Sequence, residues 1–368
     1  MVVQLRLILS FGWCAILVLC LTACHDSIDT QEGDLTHIDY RPESYVLQVP
    51  PGFPALEQPP DNLMTVDGIQ LGRKLFYDPI FSIDSTVSCS SCHLQEHSFT
   101  DALAQSNGVA GKTPRSSMTL INVGFTYHGM FWDGRVASLE EQALKPIEDP
   151  IEMANTWENV EERLRNHATY PAEFRKAFGI ENKDQINRDL ATKAIAQFVR
   201  TITSGTESKY DRFIRGEIFL EENEYNGYLM FFNLDNNLPD AQCGHCHNAP
   251  LLATNDYFNN GLQEAVDLES IPDKGRGLIT GDPIDNGKFK APTLRNITLT
   301  GPYMHDGRFA TLPEVLDHYA SGGKNSPNKS TFMFNLHLTE SEKADIIAFL
   351  LTLTDSTTLT NPAYKSPF

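Results

Sequence analysis

The feature that most constrains this chain is the pentapeptide Cys-x-x-Cys-His, which occurs at residues 89–93 and again at 243–247. This spacing is the attachment motif of c-type haem. Two thiols one helical turn apart can reach the two vinyl groups on one porphyrin edge, and the following histidine can then ligate the iron. The predicted attachment residues are Cys89, Cys92 and His93 for the first haem and Cys243, Cys246 and His247 for the second.

Two other roles for paired cysteines fit the sequence less well. Zinc-binding Cys-x-x-Cys pairs usually lie about 15–20 residues apart, whereas most of a domain separates Cys92 from Cys243. Neither a four-thiolate zinc site nor two disulfides would need the histidine that closes each motif. The sequence therefore favours two covalently bound haems.

Residues 1–24 have the organisation of a targeting segment. Arg6 is the only charged residue, residues 7–21 are nearly all apolar, and the segment ends Leu-Thr-Ala-Cys at Cys24. This ending resembles a bacterial lipoprotein signal, in which Cys24 would be lipidated and become the N-terminus. A plain secretory peptide and an uncleaved anchor helix are the alternatives. All three place the rest of the chain on the periplasmic side of a bacterial membrane, where haem c is attached.

Cysteine usage and charge narrow the functional classes further. Three of the seven cysteines lie in residues 1–24 and the other four belong to the haem motifs, so none remains for a structural disulfide.

The formal net charge of −19 becomes about −20 without residues 1–24. Such an acidic chain is a poor candidate for nucleic-acid binding. It suits a basic protein partner, although solubility alone could account for the charge.

The remaining sequence predicts a tether and two mainly α domains. Residues 25–63 are polar and proline-rich without a period, as expected of a tether. Beyond them we predict domains at 64–210 and 211–368, with a linker near residues 205–216. Apolar residues have helical spacing. The predicted helices span 68–77, 189–203 and 222–232, and two more begin at the capping boxes 138–141 and 339–342.

The two halves also match outside the haem motifs. Residues 119–122 match 293–296, and the Asp-Gly-Arg blocks at 133–139 and 306–312 match at an offset of 173. The haem histidines are offset by 154. These matches predict a tandem duplication.

The duplication predicts a difference between the two irons. Tyr319 is a candidate distal ligand in the second half, and the same offset leads to Pro146, which has no ligand atom. One iron would then be closed and the other open to small molecules. Tyr319 could instead be a buried core aromatic, and His318, Met304 and Met333 are rival ligands.

From about Leu71 to Leu353 the chain resembles the bacterial dihaem cytochrome c peroxidase and MauG superfamily. The blocks that carry the resemblance are the first haem motif with residues 99–101, then 131–135, 141–143, 146–147, 150–153, 292–296 and 301–305. The resemblance implies two cytochrome-c-like α domains with a calcium ion between them. It also implies a peroxidatic N-terminal haem and an electron-transfer C-terminal haem.

The resemblance assigns roles to individual residues. Trp132 matches the tryptophan between the haems, and Gln142 and Glu152 match residues of the peroxidatic distal pocket. Thr300 and Pro302 match positions whose carbonyls hold calcium, while the usual Asn ligand falls near Ser116 or Ser117. Arg135 and Arg308 are expected to pair with haem propionates or to cap loops.

The chain departs from classical members of the family on the distal side of the first haem. No histidine occurs between Asp101 and Tyr127, where those members carry a blocking ligand. The first haem is therefore expected to be open in the resting state. Tyr319 matches the axial tyrosine of MauG rather than the methionine of classical peroxidases.

Three functions follow from these expectations. The first is a peroxidase that reduces hydrogen peroxide to water with electrons from a small cytochrome c or cupredoxin, Glu152 acting as acid and base. The second is a MauG-like oxidase that uses a ferryl haem on a protein or organic substrate. The third is a non-catalytic dihaem electron carrier, which would have two closed irons.

Overall fold

The structure is a computed structural model that describes residues 32–126 and 129–368. The predicted targeting segment, with Cys24, lies outside the described residues.

The chain is mainly helical, which confirms the predicted class. Its α-helices are α1 (Val66–Tyr77), α2 (Cys89–Cys92), α3 (Leu139–Glu148), α4 (Trp157–Arg165), α5 (Tyr170–Phe178), α6 (Arg188–Arg200), α7 (Lys209–Ile214), α8 (Glu222–Phe232), α9 (Gly277–Thr280), α10 (Leu312–Ser321), α11 (Glu340–Thr352) and α12 (Thr357–Thr360).

Short 3-10 helices and strands join these helices. The 3-10 helices are Pro79–Phe81, Gln95–His97, Val123–Phe125, Lys183–Gln185, Cys243–His245, Pro283–Asp285 and Ile297–Leu299. The strands form two antiparallel pairs, β1 (Asn107–Gly108) with β2 (Gly111–Lys112) and β3 (Tyr257–Phe258) with β4 (Phe289–Lys290). Within the described ranges no helix is long and apolar enough to cross a membrane.

The first half of the chain is built on the packing of α1 against α6. Thr65 begins α1 by accepting a hydrogen bond from the Gly68 backbone at 3.0 Å. Leu71 and Leu75 are buried on its inner face. Gly72 permits the close approach of α6, since a Cβ there would lie 1.8 Å from the Ala194 carbonyl oxygen.

The second half repeats this arrangement with α8 and α11. Phe231 and Phe349 form the centre of its core, with ring centroids 5.1 Å apart. A Cβ on Gly227 would lie 2.0 Å from the Asp345 carbonyl oxygen, so glycine again allows two helices to touch. In each half the first helix of the pair then leads towards a Cys-x-x-Cys-His motif.

The Asp-Gly-Arg blocks have matching local structure in the two halves. Helices α3 and α10 both contain ten residues, and their N-caps, Ser138 and Thr311, are 173 positions apart. The isolated bridges Met130–Val136 and Tyr303–Phe309, just before these helices, have the same offset.

Two predicted irregular segments make specific contacts in the structure. The region 205–216, predicted as a linker, contains α7, and Asp211 in this helix forms a buried ion pair with Arg295 at 3.0 Å. Residues 32–63, the described part of the predicted tether, contact the first half through the Phe53 ring, 5.3 Å from that of Phe125. Such contacts use a few anchoring side chains and leave no periodic pattern in the sequence.

The C-terminal segment, residues 355–368, returns to the first half of the chain. The Tyr364 hydroxyl donates to the Thr201 carbonyl at 2.8 Å, and Arg73 donates to the Lys365 carbonyl at 2.7 Å. Asn296 in the second half donates to Ser98 Oγ at 2.7 Å in a buried position. These contacts hold the two halves together near the first haem motif.

Candidate haem sites

The first haem motif forms a short helix that ends at its histidine. Ser88 caps α2, with its backbone N–H donating to Ser91 Oγ at 3.1 Å. His93 follows the helix, and its Nδ1 lies 2.9 Å from the Phe99 carbonyl oxygen. Because a carbonyl only accepts, Nδ1 carries the proton and Nε2 is left for a metal. Desolvation lowers the pKa of His93, which favours the neutral, ligating form.

The second motif has the same arrangement on a 3-10 turn. His247 Nδ1 lies 3.0 Å from the Pro292 carbonyl and 3.3 Å from that of Leu252. Burial lowers the pKa of His247 to about 4, so this ring is also neutral. The four cysteines of the two motifs form no disulfide.

Each motif borders one large cavity. The first cavity, of about 240 Å³, is lined by Cys92 and His93, and the second, of about 210 Å³, by Cys243, Cys246 and His247. Their similar volumes and donor groups suit two copies of the same large group. Thiols next to a neutral, anchored histidine are the donors that haem c requires, so the residues present fit the predicted cofactor.

Trp132 lies in the wall between the two cavities. It borders both of them, together with residues 116–119 and 290–293. Its indole Nε1 donates to the Ser116 carbonyl at 2.9 Å, and its own carbonyl accepts from the Lys290 N–H at 2.8 Å. Its ring centroid is 6.5 Å from that of His305, the residue at the matching position of the second half.

The predicted distal residues of the first haem, Gln142 and Glu152, border the first cavity with Pro146. Burial and the nearby Asp149 carboxylate raise the pKa of Glu152 to about 7, although Arg135 acts in the opposite direction. Among the described residues that line this cavity, the only histidine is His93.

A β-hairpin that the sequence did not indicate holds the Glu152 backbone. The Val109 N–H donates to the Glu152 carbonyl at 2.9 Å, and Gly108 packs on the preceding residue, Ile151. A Cβ on Gly108 would lie 2.0 Å from the Ile151 carbonyl oxygen. The two loop residues of this hairpin, Val109 and Ala110, are not typical turn residues, so the sequence carries no clear signal for it.

The second cavity contains several candidate iron ligands. Tyr319, Met304 and Met333 border it. Asn260, which sequence reasoning missed, donates from Nδ2 towards the Tyr319 hydroxyl at 3.3 Å and towards Met304 Sδ at 3.4 Å. Burial raises the pKa of Tyr319 to about 12.

His318 was a rival ligand in the sequence, and the structure does not support that role. It does not border the second cavity. Its Nε2 lies 2.9 Å from the Asn260 carbonyl oxygen, so it donates to the backbone there. The reason is helical geometry, since neighbouring residues on a helix point about 100° apart.

The matching helices α3 and α10 differ at their eighth residue. That residue is Pro146 in α3, where it borders the first cavity, and Tyr319 in α10, where it borders the second. Equivalent positions in the two halves therefore present a side chain without a ligand atom and one with a hydroxyl.

The two arginines of the Asp-Gly-Arg blocks pair with carboxylates of their own loops. Arg135 lies 3.2 Å from Asp133 and packs 3.5 Å over the Phe131 ring, while bordering the first cavity. Arg308 donates to Asp306 from Nε at 2.9 Å. These contacts are of the loop-capping kind, and pairing of either arginine with a haem propionate stays a prediction.

The residues of the predicted calcium site lie around the second cavity. Thr300 and Pro302 border it, as do Ser116 and Ser117. Ser116 Oγ donates to the Met304 carbonyl at 3.1 Å. Among the described residues no group of three or more His, Cys, Asp or Glu could hold a metal ion. A site made of carbonyl oxygens stays a prediction.

Two cavities in a helical chain, each with a Cys-x-x-Cys-His motif and separated by a tryptophan, define a dihaem c-type protein. A family model described as di-haem cytochrome c peroxidase matches residues 66–218. The chain belongs to this family, as relatives that match it over most of their length show.

Three relatives illustrate the range of the family. The chain is 35% identical to cytochrome c551 peroxidase of Nitrosomonas europaea, over 82% of this chain and 83% of that protein. It is 33% identical to the methylamine utilization protein MauG of Methylorubrum extorquens, over 91% and 89%. A MauG-like protein associated with microbial copper homeostasis has a solved structure that is 37% identical, with a TM-score of 0.81 over 88% of this chain and 99% of that one.

Proposed function

We propose that this protein is a dihaem peroxidase that reduces hydrogen peroxide to two waters, using two electrons from a small cytochrome c or cupredoxin. The observation that carries the proposal is the difference between the cavities. A carboxyl group with a raised pKa borders the cavity of His93, and Pro146 stands there where the other half has Tyr319. Binding of an oxidant needs an open iron, and electron transfer needs a closed one. The cavity with Pro146 suits the first role, and the cavity with Tyr319 suits the second.

Haem, when bound, supplies the iron at which the O–O bond is cleaved and a second redox centre that delivers electrons. Glu152 takes a proton from the incoming peroxide oxygen and gives it to the departing one. A pKa near 7 suits both transfers, because the group is then similarly ready to accept and to release a proton. Gln142 orients the peroxide through its side-chain amide.

Trp132 connects the two redox centres in this proposal. Its ring borders both cavities, and its hydrogen bonds to Ser116 and Lys290 hold it in place. The reaction consumes two electrons and two protons for each peroxide. The electrons would come from a donor protein with a basic surface, which the acidic chain would attract.

Electron paramagnetic resonance of the ferric holoprotein tests this proposal. We expect one high-spin signal beside one low-spin signal, and we expect azide to change only the high-spin signal. Steady-state turnover of peroxide with a reduced small cytochrome should accompany these spectra. Two low-spin signals that azide leaves unchanged would support the non-catalytic carrier instead.

Tyr319 favours a second candidate, an oxidase that acts on a protein side chain or an organic substrate. MauG relatives cover nearly the whole chain, and a tyrosine on the closed iron would stabilise its oxidised state. Turnover of peroxide without a reduced cytochrome, together with oxidation of an added substrate, would favour this candidate.

The proposal extends to location, metal content and origin. We propose that Cys24 carries a lipid that anchors the protein on the periplasmic side of a membrane, and that Thr300 and Pro302 contribute carbonyls to one calcium ion. Matching caps, helices and bridges at an offset of 173 support a tandem duplication, with domains at 64–210 and 211–368.

A further inference from the structure

Lys290 is a buried lysine in the wall between the two cavities. It ends strand β4, is 8% exposed, and borders both cavities. The first cavity has two other basic residues in its lining, Arg115 and Arg135. Among the described residues that line the second cavity, Lys290 is the only lysine or arginine.

The contacts of Lys290 balance its charge poorly. Its Nζ donates to the carbonyl of Gly129 at 2.5 Å, which is a neutral acceptor. Burial lowers the pKa of Lys290 to about 8, and the like charge of nearby Arg276 acts in the same direction. A buried ammonium group is stable only with an anion or several acceptors, so an anion in the cavity would complete this site.

His305 gives a second and independent indication of an acceptor in the second cavity. It borders that cavity, is 5% exposed, and its Nε2 is buried without a hydrogen-bond partner in the described structure. Asp273 Oδ2 is 3.6 Å away, beyond hydrogen-bonding distance. The ring stacks on Phe289, next to Lys290 in β4, with centroids 3.6 Å apart.

Haem carries two propionate carboxylates on the edge opposite its vinyl groups. Attachment to Cys243 and Cys246 would hold the vinyl edge, so the propionates would extend to another part of the cavity wall. We propose that Lys290, with His305 as a second donor, binds a propionate of the haem attached at His247, on the wall that faces the first cavity. This inference rests on the two covalent haems of the proposed function and does not depend on peroxide turnover.

The proposed contact would raise the reduction potential of that haem. Reduction adds a negative charge, and a fixed ammonium group beside the haem stabilises the more negative state. Lys290 would thus be a positioning residue that keeps the propionate ionised and the second haem easier to reduce. Because Lys290 and Trp132 both border the two cavities, a propionate bound by Lys290 would lie on the same wall as Trp132.

The test is a redox titration of purified holoprotein followed by its optical spectrum. For Lys290→Met we expect the equilibrium constant for reduction of the His247 haem to fall roughly tenfold, which is about 59 mV for one electron. Lys290→Arg should keep the potential near that of the original protein. The variant His247→Met changes the ligand of that iron alone. It therefore shows which step of the redox titration belongs to the haem attached at His247.

Lys288 provides a matched control two residues earlier in the chain. It pairs with Asp285 at 2.8 Å and does not border the second cavity. Lys288→Met removes the same charge, and solvent should screen its effect on both potentials. If Lys290→Met yields little holoprotein, Lys290→Gln serves instead, with the same expected shift. Unchanged potentials, or a shift confined to the His93 haem, would overturn the inference, whether or not the protein turns over peroxide.

Discussion

Glu152 shows how the surroundings of one residue can determine its chemistry. Its carboxyl group borders the first cavity, and desolvation together with Asp149 raises its pKa to about 7. An ordinary glutamate, with a pKa near 4.3, would be almost fully ionised at neutral pH and a weak proton donor. Glu152 can both accept and donate a proton there, which is the property that peroxide cleavage needs.

Glu152 should control the pH dependence of turnover. As the base that takes the first proton, it must be ionised, so kcat/KM for peroxide should rise with pH and level off above about 7. Glu152→Gln should lower kcat/KM by roughly 10²–10⁴-fold and leave both haem spectra unchanged.

Glu148 is the matched control for this experiment. It is exposed at the end of α3 and does not border the cavity, so Glu148→Gln should leave turnover unchanged. Full turnover by Glu152→Gln, or a rate that does not change between about pH 5 and 8, would contradict the assignment.

At the scale of elements, two pairs of crossing helices support the haem motifs. Glycine allows α1 to touch α6 and α8 to touch α11, because any Cβ would overlap a backbone carbonyl of the partner helix. Each pair lies beside a haem motif, with α1 contacting α2 and α8 contacting the turn Cys243–His245. The helices therefore position the cysteines through backbone packing as well as through the core.

Replacing Gly72 should destabilise the first half of the chain. In Gly72→Ala the new methyl group would lie 1.8 Å from the Ala194 carbonyl oxygen, so α1 and α6 must separate. We expect the free energy of unfolding to fall by about 1–3 kcal/mol, the usual cost of overpacking. Chemical denaturation of the holoprotein measures it. The exposed Gln70 on the same helix gives the control, since Gln70→Ala should change stability by less than about 0.5 kcal/mol.

For the whole molecule, the C-terminal segment joins the two halves. Tyr364 is 6% exposed, and its ring packs against Phe99, the residue whose carbonyl holds His93. A segment from the end of the second half thus supports the proximal ligand of the first haem.

Tyr364→Phe tests the contribution of this segment. The substitution removes the hydroxyl that donates to the Thr201 carbonyl at 2.8 Å and accepts from the Thr203 N–H at 3.3 Å. Losing a buried partner should cost about 1–3 kcal/mol, seen as a lower Tm of the holoprotein. Tyr225, a residue that is 43% exposed, supplies the control, since Tyr225→Phe should leave Tm nearly unchanged. Equal Tm values for the two variants would show that the segment contributes little.

The sequence by itself determined the features that depend on local spacing. The two haem motifs, the helices that precede them and the matching Asp-Gly-Arg blocks are each set by residues close together in the chain. Helix α8 has the predicted bounds, and α6 ends three residues earlier than the apolar pattern suggested, at Arg200. The different residues at Pro146 and Tyr319 were also visible, because the repeat aligns them.

Only the tertiary structure decided which distant side chains share an environment. The sequence assigned no role to Lys290, His305 or Asn260, although His305 ends the block 301–305. These three residues reach the second cavity from separate segments. The raised pKa of Glu152 and the support of His93 by the C-terminal segment likewise arise between residues far apart in the chain. Desolvation and long-range packing depend on what surrounds a group in space, and no periodicity along a single sequence records that.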